Sequence, residues 1–187
     1  RYFKASMRLR GMTQGCAIED VRSYECDQHL WSREHYFCTF RQSYADWCGT
    51  GTKDTPVDKR TAVYDLWVLN GMINIENIQC SSASLAYTFY STQATALKQL
   101  DAESCITALR LRGDIENTEI SGCYFENCGT VLDVSGSRVI GGSMHNNFIN
   151  HCDIGILATD AGGHLNEFDN RWTGNIGERS SGTGGAF

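Results

Sequence analysis

Three stretches, CITALRLRG (Cys105–Gly113), CGTVLDVSG (Cys128–Gly136) and CDIGILATD (Cys152–Asp160), align residue for residue at steps of 23 and 24. Leu109, Leu132 and Ile156 fall in one column, and Leu111, Val134 and Ala158 in another, two residues on. Between them stand Arg110, Asp133 and Leu157, then Arg112, Ser135 and Thr159. This alternation is that of strands with every second side chain turned inward. Upstream, Leu97, Ile120 and Met144 stand eight residues before the aligned cysteines, and Ala102, Phe125 and Ile149 three before.

The pattern reaches toward the N-terminus. Ile18 lies eight before Cys26 and Leu30 four after it, and MRLRG at Met7–Gly11 recurs as LRLRG at Leu109–Gly113. Cys48 and Cys80 are expected to continue the cysteine column at spacings of 22 and 32, the longer one holding an insertion around Gly49–Pro56. Leucine-rich repeats have this length, but their consensus and following helix are absent. The segments between strands are rich in Gly, Asn, Ser and Asp, which favour turns. A chain with one proline suits central strands that cannot spare ladder donors. The expected fold is therefore all-β: a right-handed, single-stranded parallel β-helix (a solenoid) of about seven coils, roughly 34 Å long at ~4.8 Å per coil. It is expected over residues 1–176, with a Gly/Ser-rich exit at 177–187. Thr92–Leu100 reads weakly helical, as a short cap or a strand.

Composition excludes several classes. A net charge of −6 and a pI near 5.3 argue against nucleic-acid binding. No apolar run reaches the roughly 18 residues of a membrane span. Nine cysteines without a C-x-x-C, most set in apolar patterns, read as buried reduced thiols suited to folding in a cytoplasm. Neither a cofactor nor a metal is expected: Gly49–Lys53 lacks the phosphate-loop pattern, and His145, His151 and His164 fall in separate expected turns. Both ends read as cuts in a longer chain.

With coils placed, IEDVRSYECDQHLWSREHYFCTF (Ile18–Phe40), the GTGT turn (Gly49–Thr52), YST (Tyr90–Thr92) and ISGCYFENCGTVLDVSG (Ile120–Gly136) give a chain that resembles bacteriophage tailspikes and related capsule-depolymerising tail proteins. The resemblance implies a homotrimeric virion protein, folded in the host cytoplasm and joined to other tail proteins. It implies binding, and often cleavage, of bacterial surface polysaccharide (capsule or O-antigen). A secreted bacterial pectin-lyase-like enzyme and a non-enzymatic tail module are the competing expectations.

Glycan chemistry on such a rod belongs on outward columns. Glu103, Glu126 and Asn150 stand two residues before the aligned cysteines, so Glu103 and Glu126 are expected one coil apart, roughly 5 Å between backbones. That suits the acid and the base or nucleophile of glycoside hydrolysis, with Asp101 as support; the alternative is a row of solvated acids that limits edge association. Trp31, Arg110 and Asp133 in one column, and Arg33 and Arg112 in the next, have the composition of a platform for an acidic sugar. Alternatively, Trp31 meets a sibling subunit and the arginines pair with Asp133. For a lyase, His35 or Tyr36 would be the base and Arg33 the electrophilic partner; the plain alternative is a polar turn between coils.

Overall fold

The computed structural model describes residues 7–10, 17–33, 39–49, 54–56, 59–67, 74–174 and 176–181. Eight strands stack in one parallel ladder, here face A: Met7–Arg10, Leu30–Arg33, Tyr64–Trp67, Leu85–Tyr90, Thr107–Arg112, Thr130–Asp133, Ile154–Leu157 and Glu178–Ser181. The remaining twelve form a second parallel sheet that shares no strand with the first. All the described strands pair in parallel, and the chain alternates between the sheets, as a β-solenoid requires.

The columns expected from the sequence are the observed rungs. Leu109 pairs with Leu132, which pairs with Ile156. Ile120 lies between Leu97 and Met144, and Phe125 between Ala102 and Ile149. Met7, Leu30, Tyr64, Tyr87 and Leu109 follow one another across face A, so Met7–Arg10 and Leu109–Arg112 occupy the same coil position. Thr92–Leu100 is not helical; Ala96–Glu103 is a strand whose Leu97, Leu100 and Ala102 enter the core. Pairing also continues to Ser181, past the boundary expected at 176.

Cys80 is a correction. It pairs with Ala45 and Ala102, in the column of Phe125. The cysteine position of that coil belongs to Ala83: Ile106 N donates to Ala83 O as Gly129 N donates to Cys105 O, each at 3.0 Å. The insertion is thus three residues longer than the cysteine spacing suggested, and an alanine fills the slot because only a small apolar group is needed there. The seven described cysteines are free and buried. Burial raises the thiols of Cys48 and Cys123, to about 11 and about 12, so they stay protonated and act as small apolar groups.

Each coil bends at residues held in the left-handed region. One bend column runs Asp20, Gln42, Asn77, Gln99, Gly122, Asn146 and Asp169; a second runs Glu25, Trp47, Ser82, Ser104, Asn127, His151 and Gly174. The first divides the second sheet into two flanks. The residue after this bend carries the polar staple of the last coils. Asn147 Oδ1 accepts from Cys123 N at 2.8 Å, and its Nδ2 donates to Ile120 O at 3.1 Å and to Asn170 Oδ1 at 2.9 Å. Asn170 Nδ2 repeats the donation, to Met144 O at 2.9 Å. Asn147→Ala orphans a buried N–H and a buried carbonyl, and is expected to lower unfolding free energy by about 3 kcal/mol. The neighbouring exposed Asn146→Ala is expected to cost only ~1 kcal/mol, through its left-handed backbone. Urea denaturation of both variants checks the difference; equal losses would remove the staple's special role.

Candidate functional site

On the flank between the two bend columns, alternate residues face outward and form two parallel columns. One runs Arg22, Tyr44, Gln79, Asp101, Tyr124, Phe148 and Arg171. The other runs Tyr24, Asp46, Ser81, Glu103, Glu126, Asn150 and Thr173. Glu103 and Glu126 are therefore direct neighbours on adjacent coils, with Asp101 on the strand of Glu103 and beside Tyr124.

The three acids are not equivalent. Tyr124 Oη donates to Glu126 Oε2 at 2.8 Å and Asn150 Nδ2 to Glu126 Oε1 at 2.7 Å, so both oxygens of Glu126 are oriented. The bond to Glu126 is the main reason the Tyr124 phenol is pushed up to about 12. Asp101 is held differently. From inside the coil, Tyr87 Oη donates to its backbone carbonyl at 2.6 Å, whereas its side-chain Oδ1 is buried with no hydrogen-bond partner. Burial first, then the charges of Glu103 and Glu126, raise the Asp101 carboxyl from its ordinary 3.8 to about 6. A hollow of about 310 Å³ opens beside these groups, lined by Glu103, Ser104, Glu126, Asn127 and His151. The sequence pointed to the acids through their register. It placed Asn150 in the column of the two acids without a role and did not single out Tyr124.

Aromatic rings flank the acids. Tyr124 stacks on Phe148 with centroids 5.4 Å apart, and the Arg171 guanidinium lies 5.3 Å from the Phe148 ring centre. Toward the N-terminus, Tyr24 and Trp47 are 63% and 68% exposed, the largest apolar exposures among the described residues. Trp47 belongs to the same bend column as Ser104 and Asn127, two rungs from Ser104.

Face A has another character. Trp31 shares a column with Asp65, Thr88, Arg110, Asp133 and Leu157, and Arg33 lies one column over, next to Trp67; the backbone register alone places Trp31 and Arg33. Arg110 and Asp133 are 7% and 1% exposed and form an ion pair, Nε to Oδ2, at 3.3 Å. Asp133 Oδ1 also accepts from Ser135 N at 2.9 Å. This pair is built into the wall of the protein. Arg112 is half-buried, its guanidinium 5.4 Å from the Tyr90 ring centre. The lyase residues His35 and Tyr36 lie outside the described residues.

His145 and His164 lie on strands, and His145 stacks on Phe168 with centroids 4.6 Å apart. Among the described residues no group of three or more His, Cys, Asp or Glu is placed to hold a metal ion. Comparison with protein-family models, curated proteins and solved structures finds no match for the chain.

Two stability measurements follow from these environments. Because the folded state raises the Asp101 carboxyl, it binds that proton more tightly than the unfolded chain does. This group's contribution is therefore most favourable below about pH 4 and is lost as pH rises through about 6. Asp101→Asn is expected to stabilise by up to about 1 kcal/mol at pH 8, after allowing for solvent screening, and by nothing near pH 4. Asp133→Ala removes the carboxylate paired with buried Arg110 and is expected to cost roughly 3–5 kcal/mol. Denaturant melts across pH test both; an unchanged midpoint for Asp133→Ala would show that the pair is not structural.

Proposed function

We propose that the protein binds a polysaccharide along the outward columns of the acidic flank and hydrolyses a glycosidic bond over Asp101, Glu103 and Glu126. The observation that carries this reading is the contrast within the patch. One carboxyl, Asp101, is raised to about 6 and has a buried oxygen without a partner; its diagonal neighbour Glu126 has both oxygens engaged. Glycoside hydrolysis uses two carboxyl groups in different protonation states, one to protonate the leaving oxygen and one to act as base or nucleophile.

In this assignment Asp101 donates its proton to the glycosidic oxygen, and Glu126 attacks the anomeric carbon or activates a water molecule. Glu103 adds its charge to the effect of burial in raising Asp101 and does not react. Adjacent coils stand roughly 4.8 Å apart, which lets carboxyl separations fall in either the retaining or the inverting range. Trp47 and Tyr24 offer exposed ring faces for the apolar side of a pyranose farther along the same chain. A linear glycan laid parallel to the rod meets one rung after another, which suits internal cleavage of a long polymer. The tailspike-like style of the sequence supports a bacterial capsule or O-antigen as that polymer, and with it a homotrimer on a phage tail.

The test is incubation of the protein with a panel of purified capsular and O-antigen polysaccharides, reading new reducing ends. Glu126→Gln and Asp101→Asn are each expected to lower turnover at least ~10²-fold while leaving glycan retention intact. Wild-type activity should fall as pH rises through about 6, as Asp101 loses its proton. Trp47→Ala should weaken retention without changing the pH profile. Full activity in both acid variants would end the assignment. Retention without any product would make the flank a receptor-binding surface, and an unsaturated uronate product would move the chemistry to β-elimination.

A further inference from the structure

The outer side of face A should meet solvent, yet its central residues do not: Thr88 is 2% exposed and Thr107 4%. The segment just before Tyr64 packs against these strands. Arg60 Nη1 donates to Thr107 Oγ1 at 3.1 Å, and Gln28 Nε2 donates to Ala62 O at 3.2 Å. Between this segment and the strands lies a hollow of about 390 Å³, whose polar lining includes Lys59, Arg60, Thr88, Tyr90, Arg110 and Arg112. Four cationic side chains thus meet there. The lining contains one acid, Asp65, and Asp133 is engaged with Arg110.

We propose that this hollow is a binding site for a carboxylate-bearing sugar unit, such as a uronate or a sialate, held by Arg112 and Thr88. Thr88 supplies the observation that points to a ligand. Thr88 lines the hollow, and its hydroxyl is buried and makes no hydrogen bond. A buried hydroxyl without a partner is unfavourable, and a ligand oxygen would relieve it. Arg112 is prepared in another way. Its guanidinium lies 5.4 Å from the Tyr90 ring centre and Nη1 donates to Tyr90 Oη at 3.5 Å, which holds the group in place while its remaining N–H groups can fork onto a carboxylate. Arg110, fixed by Asp133, is a positioning residue that adds positive potential from behind.

Size and lining favour a sugar over a bare ion. The volume lies in the range of small-ligand pockets, and Leu85, Ala62 and the Tyr90 ring supply carbon surface beside the charges. The site is on a different face from the acidic flank and does not depend on cleavage there. It takes up the acidic-sugar expectation for Arg110 and Arg112, with two differences: Thr88 and the 59–62 segment complete it, and the Arg110–Asp133 pair supports it from behind.

Saturation-transfer NMR and titration with D-glucuronate, N-acetylneuraminate, D-glucose and sodium sulfate test the site on the intact chain. At least one acidic sugar should bind, with glucose not binding and sulfate binding at least tenfold more weakly. Arg112→Met and Thr88→Val should each weaken that binding at least tenfold. Thr88→Val should also leave the melting temperature unchanged or raised, since the lost hydroxyl has no partner in the free protein. The proposal is overturned if neither acidic sugar binds, if sulfate or glucose binds as well as they do, or if both variants bind normally. A lowered melting temperature for Thr88→Val would equally overturn it, because the hydroxyl would then serve the fold.

Discussion

Everything in this protein depends on each coil meeting the next in register, because a coil's backbone donors and acceptors along the rod are met only by its neighbours. The bends enforce that register. At one column the N–H of Glu25, Trp47, Ser82, Ser104, Asn127 and His151 each donates to a carbonyl of the following coil, at 2.9–3.2 Å. These residues all sit at positive φ, a conformation costly for a side chain larger than glycine. No local gain explains a tryptophan, a glutamate or two glutamines in such columns. The cost is borne because a slip of one residue would turn every inward side chain outward. Register is therefore held by hydrogen bonds at the bends as well as by the core.

This constraint turns sequence distance into proximity. Glu103 and Glu126, 23 residues apart, are as close as cross-strand neighbours can be, and Asn150 reaches Glu126 from one coil further. The inward columns have little chemistry to offer: mainly Leu, Ile, Val, Ala, Phe and Cys fill them. Outward positions are free to vary, since the ladder needs only their backbone. Function on such a rod is accordingly written in the outward alternates, and a rung holds two of them on the acidic flank.

Much of this was legible in the sequence, and the limits have physical causes. Strand alternation and the columns of Leu109, Phe125 and Ile120 could be read because buried positions accept few residue types. The Glu103–Glu126 pairing followed from that register without further information. Cys80 misled because cysteine serves in three inward columns, and an alanine satisfies the position where a cysteine was sought. The insertion was visible as a longer spacing, but its path was not. Where a segment packs is decided by contacts such as Arg60 with Thr107, 47 residues apart and without periodicity. Hence Arg110 and Asp133 looked exposed when alternation alone was considered, although the 59–62 segment and their mutual pairing bury them.

That covering segment changes the electrostatics as well as the exposure. An uncovered face A would place its arginines in water, where screening leaves each guanidinium with little pull on a ligand. Covered, the same charges act through a medium of lower dielectric, and their attraction for an anion and their cost when uncompensated grow together. The acidic flank exploits the complementary effect: partial burial among like charges raises Asp101 to about 6, so it keeps its proton to a higher pH than an ordinary carboxyl does. A coil has few ways to tune a side chain, because its backbone is fixed by the coils on either side. Local burial, from a neighbour across the rung or a segment laid over the face, is the variable that remains. The two faces of this rod differ in chemistry chiefly through it.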